Sequence, residues 1–468
     1  MKAIRHSILP VILALLAAGP AFAQGPLQLP RTSPFAGGVP SGPATPEPIR
    51  LTIVDAIMRS LQHNLGVLLA EQDTHARESE RLTALSRLLP NVSGSVTESR
   101  RKTNLEAFGF PLGPDFPKVV GPYNVFDARL FVSQTVFDAE AKNEASAAAH
   151  LVEAARHSFQ GARAFVMLAS ANQYLIALAS QARSEASQAQ LASSQAIYQQ
   201  ALDLRQGGIV AGIDVVRAEV RLSSDRQRAT AAANDAQKAK LQLAQLIGLP
   251  IGQEFTLVKD LPPIPEGEQS LQQALDVAYK IREDYLAAIE QQKAAESSKK
   301  AATGDRLPAV RLNADWGAIG LTAPSSLPTF NITGAVEVPI FDGGRQNARV
   351  AQAEVELKRK TAELENLKAA IYYDVRSALL DLEASKQLVE AAGRGRQLAQ
   401  QQLQQSRDRF AAGVASNIEV VQAQEAVAVA TEQDISAQYG LAVARALLAE
   451  STGSAEEALM RVAKGSNP

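Results

Sequence analysis

The chain carries the stretch R-F-A-A-G-V-A-S-N-I-E-V-V-Q-A at residues 409–423, and an imperfect copy, L-R-Q-G-G-I-V-A-G-I-D-V-V-R-A, at residues 204–218. The copies align Gly208 with Gly413 and Asp214 with Glu419. In both, a short glycine-containing break interrupts a long alanine-rich helical pattern. A helical hairpin that occurs twice is an internal repeat, so we expect a fold built from two related halves.

The composition favours long helices over a thick globular core. The 468 residues include only 5% aromatic residues and no cysteine, which excludes disulfides and thiolate metal sites. The formal net charge is −2, which gives no electrostatic reason to expect binding to nucleic acid, and no basic cluster argues otherwise.

The N-terminus has the pattern of a cleavable signal peptide, predicted over residues 1–23. Lys2 and Arg5 precede an apolar run too short to span a membrane. The sequence A-F-A at residues 21–23 is the expected cleavage site. No cysteine follows this cleavage site, so we expect no lipid anchor on the mature N-terminus. Residues 24–48 are rich in proline and glycine and are predicted to form an extended or disordered leader.

The first structural repeat is predicted over residues 49–250. A helical pattern ends at Pro90, and apolar and polar residues then alternate in two strands, at about 91–99 and 123–136, joined by a long loop. Proline is absent from the following stretch, which predicts a long helical hairpin over 139–247. Its first helix, of 68 residues to Gln206, would be about 100 Å long.

The same order of patterns returns in a second repeat, predicted over residues 268–453. A connector containing prolines, residues 251–267, leads to a helix that again ends at Leu-Pro. The remaining elements are two alternating strands, a second proline-free helical hairpin and a short C-terminal tail, predicted at about 309–319, 329–340, 343–451 and 454–468. The second strand of each repeat ends in Phe-Asp, and the aspartate is a suitable N-cap for the long helix that follows.

The length of the four strands matches that of tilted membrane strands. An ordinary antiparallel sheet packed on helices would show the same alternation. The signal peptide, the direct connection to long helices and a possible aromatic girdle favour the membrane interpretation; the girdle residues are Tyr123, Phe126, Trp316 and Phe330. Four strands cannot close a barrel, and an open edge cannot face lipid, so three copies would have to supply about twelve strands.

With this layout the chain resembles the TolC-like outer membrane efflux protein family. The resemblance covers about residues 49–453 and is carried by the two-copy order of the elements, by the Phe-Asp junctions and by the two glycine-containing tips. It implies a mainly α-helical fold with a membrane β-barrel: a homotrimer whose twelve-stranded barrel continues into a periplasmic α-helical barrel. The implied function is a passive exit duct for an efflux or type I secretion system. An inner-membrane pump and a periplasmic adaptor would be its partners, and the outer membrane of a Gram-negative bacterium its location.

The resemblance also implies roles for residues at the hairpin tips. Glu419 matches the acidic position of the periplasmic entrance, where three copies would form a carboxylate ring that favours cations, and Asp214 is its counterpart. Gln422, Phe410 and Ala415 differ from the second acid, the tyrosine and the arginine that well-studied members carry, so closure by packing is expected to outweigh ionic links. The adaptor is expected to contact the exposed turns at Gly208, Gly212, Gly413 and Asn417.

Simpler explanations exist for the same residues. Asp214 and Glu419 lie in first helical turns, where acids complement the helix dipole, and Gly208 and Gly413 are natural C-terminal caps. His150 and His157 are about 10 Å apart by helical rise, too far to share a metal ion. No catalytic arrangement emerges, so we predict neither an enzyme nor a cofactor.

Two other classes of protein share parts of this pattern. A soluble periplasmic coiled-coil scaffold would have the long helices but no membrane strands. An adhesin-like protein with a stalk would be expected to order its helices differently, without the duplication. Partition into the outer membrane separates the channel from the scaffold.

Overall fold

The computed structural model describes residues 33–109, 117–259, 270–412, 414 and 417–456, with the side chains of Phe108 and Asn417 left aside. The predicted signal peptide lies outside these residues, as do the second half of the predicted linker and most of the predicted tail.

Two sets of elements follow one another along the chain. The first comprises β1 (Ile49–Leu51), α1 (Ile53–His63), α2 (Leu65–Ser86), β2 (Asn91–Asn104), β3 (Val119–Phe137), α3 (Ala139–Gln206) and α4 (Gly212–Leu246). The second comprises β4 (Phe255–Leu257), α5 (Leu271–Ile281), α6 (Glu283–Gly304), β5 (Ala309–Gly320), β6 (Leu327–Glu337), α7 (Arg345–Ala411) and α8 (Asn417–Ser451). The order of long elements, strand-strand-helix-helix, therefore occurs twice, as the sequence predicts.

The four long strands form one antiparallel sheet in the order β2-β3-β5-β6. β2 and β3 remain paired as far as Asn104 and Val119, so the loop predicted over residues 102–122 is shorter than expected. The alternation of apolar and polar residues is weak in this part of the β2–β3 pair, because it contains three consecutive basic residues and a Gly-Pro step. β2 and β6 are the edges of the sheet, and each presents unpaired backbone groups to one side.

The two strand-to-helix junctions differ. Asp138 caps α3 by accepting the Ala141 N–H at 2.9 Å, directly after β3. Asp342 accepts the Gln346 N–H at 2.8 Å, but β6 ends earlier than predicted, at Glu337. Gly343 and Gly344 then turn the chain with positive φ angles of 71° and 90°. The glycines are required because other residues rarely adopt this conformation.

The main core lies halfway along the first hairpin, where α3 is nearly continuously buried from Val166 to Ala179. The parallel pair β1–β4 packs here. Tyr174 is fully buried, and its hydroxyl donates toward the carbonyls of Leu51 and Val258, each at 2.8 Å. Among the described helices, α3 alone is long and apolar enough to cross a membrane, but 72% of that segment is buried, as in a core helix.

The described part of the leader packs against this core. The Phe35 ring contacts Phe165 edge-on, with 5.2 Å between the ring centroids, and covers Gly66, where a Cβ would lie 2.1 Å from Phe35 Cδ1. The backbone N–H groups of Gly38 and Val39 donate to α4 and α1, each at 2.7 Å. The described part of the leader thus begins with a short 3-10 helix, Pro34–Ala36, and is held in place by backbone hydrogen bonds, which its proline- and glycine-rich composition did not indicate.

Candidate functional site: the hairpin tips and the sheet

The first hairpin tip is a glycine-stabilised turn between α3 and α4. Gly208 has a φ of +74°, and the Ile209 N–H donates to the Leu204 carbonyl at 2.9 Å. Nothing lies within 4 Å of a Cβ built on Gly208, so its backbone conformation rather than space calls for glycine. Gly212 begins α4 beside the Arg205 guanidinium. This turn is exposed, as an adaptor contact requires.

The second tip repeats part of this geometry. The Val414 N–H donates to the Arg409 carbonyl at 3.0 Å, which matches the bond from Ile209 to Leu204 in the first copy. Gly413 and Ala415 lie outside the described residues, and Asn417 is described only as the start of α8. The roles assigned to Gly413 and Asn417 therefore stay predictions.

The duplicated tips also share their pattern of burial. Val215 and Val420 occupy equivalent positions and are buried, as are Ala218 and Ala423. By contrast, large apolar side chains are exposed at two further equivalent pairs, Ile209 with Val414 and Ile213 with Ile418. The alignment of the two copies contains these residues, but the sequence alone does not show which of its apolar residues are exposed. Because they recur in both tips, these exposed residues are candidates for contact with other proteins.

The predicted entrance residues have different surroundings. Phe410 is only 5% exposed and packs with Ile197, Leu403, Val420 and Ala423, so it seals the junction of α3, α7 and α8 instead of projecting freely. Gln422 is exposed.

The two predicted acids each have a basic neighbour. The Glu419 carboxylate lies 3.6 Å from Arg409, and the Asp214 carboxylate lies 3.4 Å from Arg217. Asp214 is within the first turn of α4, where the helix dipole favours an acid as well.

An ionic network that the sequence did not reveal lies above the tips. Arg221 on α4 is buried, donates to the buried Asp225 at 2.9 Å, and also contacts Glu425 on α8. Arg228 donates to Glu425 at 2.9 and 3.2 Å, and these hydrogen bonds lower the pKa of the Glu425 carboxyl. Ser194 on α3 donates to Asp225. The network thereby joins α8, which begins next to the tip, to both helices of the first hairpin.

The spacing of these residues explains why only half of the network was predictable. Arg221 and Asp225 are four residues apart and Arg221 and Arg228 seven apart, so the sequence alone places them on one face of α4. Their partner Glu425 belongs to the other repeat, and only the packing of α8 against α4 brings it close.

The sheet has one apolar and one polar face. The register aligns Leu130, Trp316 and Phe330 across three strands, so these side chains lie on the same face. The other residues of that face on the same strands are mostly apolar: Phe126, Ala128, Val132, Leu312, Ala314, Ala318, Ile332 and Val336. The opposite face carries mainly polar residues, among them Ser93, Ser95, Thr97, Asn313, Asn331 and Thr333.

The register corrects one member of the predicted aromatic girdle. Tyr123 is an odd number of residues from Phe126 on an unbroken stretch of β3, so it lies on the polar face, where its hydroxyl is 3.1 Å from Thr103 Oγ1. It also lies beyond the end of β5, whose last residue pairs with Phe126. Trp316 and Phe330 are directly paired on neighbouring strands, lie side by side on the apolar face and stay candidates for a girdle. Phe126 lies on the same face of β3, four residues from Leu130, which pairs with Trp316.

The polar face holds an ion cluster of its own. Arg129 on β3 contacts Asp127 on the same strand and lies 3.1 Å from Asp315 on β5. All three side chains are largely screened from solvent by the surrounding sheet. Charged groups therefore cluster on the face opposite Trp316.

The two histidines considered as metal ligands are held in separate pairs. His150 contacts Glu290 at 2.7 Å and His157 contacts Glu283 at 2.6 Å, in both cases between α3 and α6. These pairs tie the first repeat to the second. Within the part of the chain that the structure describes, no group of three or more potential metal ligands occurs.

The sequence profile of outer membrane efflux proteins matches residues 56–249 and 274–454, which is most of the chain and both repeats. The chain belongs to the outer membrane efflux protein family. Members of this family are trimeric channels that work with adaptor proteins and inner-membrane pumps.

Several relatives match over most of their length. The pyoverdine export outer membrane protein OpmQ of Pseudomonas putida is 24% identical over 412 residues, covering 85% of this chain and 84% of its own. The outer membrane efflux protein BepC of Brucella suis is 23% identical over 413 residues, covering 86% and 85%.

Solved channels share the fold. The open-state channel MtrE of Neisseria gonorrhoeae has a TM-score of 0.74 at 18% identity, with 92% of this chain and 97% of that chain covered. VceC of Vibrio cholerae has a TM-score of 0.74 at 19% identity, with 86% and 96% covered.

These likenesses confirm the TolC-like fold class predicted for this efflux protein, and with the family they confirm an outer-membrane efflux channel of Gram-negative type. The alternatives of a soluble scaffold and an adhesin are thereby disfavoured.

Proposed function

We propose that this efflux protein is a passive exit duct in which three copies each supply four strands to one twelve-stranded barrel. The observation that carries the proposal is the sheet, with an apolar face, a polar face and two open edges at one end of the long helices. The apolar face, which carries Trp316, would contact lipid, and the polar face, which carries Arg129, would contact water. Pairing of β2 with β6 of the neighbouring copy would satisfy both edges, because backbone groups cannot stay unpaired in lipid.

A stripe on α7 supports the association of copies along the helices. Successive helical residues turn by about 100°, so Val355, Tyr373, Leu380 and Leu398 lie within about 20° of one another around the axis. They are 66%, 69%, 54% and 65% exposed, respectively, which leaves an apolar seam along one side of a single copy. Alanines continue the seam at positions 362, 369, 384 and 391. A seam with this spacing is typical of helices that pack side by side.

The tips are proposed to form the closed end of the duct. Phe410 packing and the Arg221–Asp225–Glu425 network hold α8 against the first hairpin of the same copy. Both would keep Glu419 and Gln422 near the channel axis until a partner draws the hairpins apart. Closure then depends on packing and on a buried ionic network about two helical turns above the tip.

The proposed partners are a periplasmic adaptor and an inner-membrane pump that supplies the energy. The adaptor is proposed to contact the exposed tips at Gly208 and Gly212 and the apolar pairs Ile209–Val414 and Ile213–Ile418. The repetition of these pairs would offer an adaptor the same surface six times around a trimer.

Single-channel recording of the purified protein in a planar lipid bilayer tests the duct. We expect small, discrete conductance steps from wild type and a several-fold larger conductance from Glu425→Gln, because that change removes the only α8 carboxylate that Arg221 and Arg228 contact among the described residues. Arg226→Gln is the matched control, since Arg226 is an exposed residue of α4 that forms no ion pair with any described residue. Absence of channels from wild type would refute the duct, and a Glu425→Gln conductance equal to wild type would remove the network from closure.

The same recordings under a salt gradient test the entrance ring. Glu419→Gln should weaken the preference for cations, because three carboxylates at a narrow entrance attract them. An unchanged reversal potential would exclude Glu419 from the ring.

A further inference from the structure

The β2–β3 ribbon continues past the end of the other two strands. Gly320, the last residue of β5, pairs with Phe126, and beyond this level residues 99–104 and 119–125 pair only with each other. This end of the sheet is opposite to the end that leads into α3 and α7. If the helices occupy the periplasm, as the proposed function holds, the ribbon emerges on the outer surface of the membrane.

The apolar face gives way to basic residues where the ribbon begins. Glu98 pairs with Phe126, and Arg100, the next residue of β2 on that face, pairs with Asn124. The register shifts between Arg101 and Thr103, but Thr103 Oγ1 lies 3.1 Å from the Tyr123 hydroxyl on the polar face, so Lys102 stays on the face of Arg100. At about 3.4 Å per residue, they lie about 7 and 14 Å beyond the Phe126 level. Both are exposed.

These two positive charges have no partner among the residues that the structure describes. Neither Arg100 nor Lys102 makes a side-chain hydrogen bond or ion pair with any residue in the described ranges. Nearby basic residues are already engaged: Lys118 contacts Glu106 at 3.0 Å, and Arg101, on the polar face, donates to Ser99 at 3.1 Å. Within the described part of the chain, two cations without a partner therefore face outward immediately beyond an apolar surface.

We propose that Arg100 and Lys102 bind the phosphate groups of lipid in the outer leaflet. An apolar protein face ends where the hydrocarbon of the membrane ends, and lipid phosphates lie at that boundary. Long basic side chains can extend along the surface to reach them. Glu98 is on the same face but nearer the hydrocarbon, so it repels phosphate from that level and favours contact farther out. The inference rests on the proposed barrel orientation and adds a lipid-binding surface to it.

Native mass spectrometry of the full-length trimer in detergent, titrated with diphosphorylated lipid A, tests this surface. We expect the double variant Arg100→Gln/Lys102→Gln to bind about 25-fold more weakly, at about 5-fold per charge. Lys118→Gln is the matched control, because it removes a basic residue of the same ribbon that is already paired with Glu106. It should bind within about 2-fold of wild type.

Three results would overturn the proposal. They are equal lipid A binding by the double variant and wild type, equal binding of lipid A whose phosphates have been removed, and displacement of lipid A by an equal concentration of inorganic phosphate. Planar-bilayer recordings of the double variant separate this inference from the duct itself. Wild-type conductance together with unaltered lipid A binding would refute only the lipid surface, whereas loss of channels from wild type would refute the duct.

Discussion

The two long hairpins have the same sequence pattern but not the same surroundings. In the first, α3 is buried along its middle by α1, the β1–β4 pair and α4, with Tyr174 at the centre. In the second, α7 is buried only at separated positions such as Ile371 and Val375, which pack on α5. An apolar stripe along the rest of α7 stays exposed. Duplication thus preserved the helices while their surroundings diverged: α3 forms the core of a copy, and α7 carries the proposed surface between copies.

The largest expected effect comes from the exposed stripe. Tyr373→Asp combined with Leu380→Asp should prevent trimer formation, because six carboxylates would lie in seams that exclude water. Size-exclusion chromatography with light scattering measures the mass. Gln397→Asp is the control, since it adds an aspartate on an exposed face about a third of a turn away, with one charge per copy instead of two. A trimeric double variant would show that the stripe is not an interface.

The variant Tyr174→Phe tests the buried middle of α3. The change leaves the carbonyls of Leu51 and Val258 without their hydroxyl partner, which should cost about 1–3 kcal/mol of unfolding free energy. Thermal unfolding in detergent measures it. Leu379→Ala, at the equivalent position of α7, is half-buried and should cost less. An equal loss of unfolding free energy in the two variants would show that the greater burial of α3 does not make it more sensitive to substitution than α7.

The same hydroxyl predicts a dependence on pH. Burial raises the pKa of Tyr174 to about 12, so the folded protein holds its proton more tightly than an unfolded tyrosine does. The corresponding stabilisation is complete below about pH 10 and should be lost as the pH rises from 10 toward 12. Comparing the decline in melting temperature between wild type and Tyr174→Phe isolates this contribution. Identical slopes would indicate that Tyr174 does not titrate there.

The smallest expected effects come from two glycines. Gly66→Ala places a methyl group against the Phe35 ring and should destabilise the protein by about 1–2 kcal/mol. Gly440→Ala in α8 meets open space and should stabilise its helix by up to about 1 kcal/mol. Denaturant unfolding of both variants measures the difference. Opposite signs are expected, and destabilisation by both would show that Gly440 is covered in the assembled protein.

Much of the fold was predictable because its determinants are local. Proline absence and an N-capping aspartate give the bounds of α3, and alternation of apolar and polar residues gives the strands. The duplicated tip gave the two-fold architecture. Where local signals conflicted, as in the basic β2–β3 ribbon and the segment after Glu337, the predicted strand ends were displaced.

Local sequence patterns are thus sufficient for the order, length and periodicity of the elements, since these depend on neighbours within a few residues. The tertiary structure decided which faces meet. It buried Phe410 among Ile197 and Val420, turned Tyr123 away from Trp316, and brought Glu425 to Arg221 across the repeats. Such contacts join residues far apart in the chain, and their free energy depends on burial and register, which exist only once the helices and strands have packed.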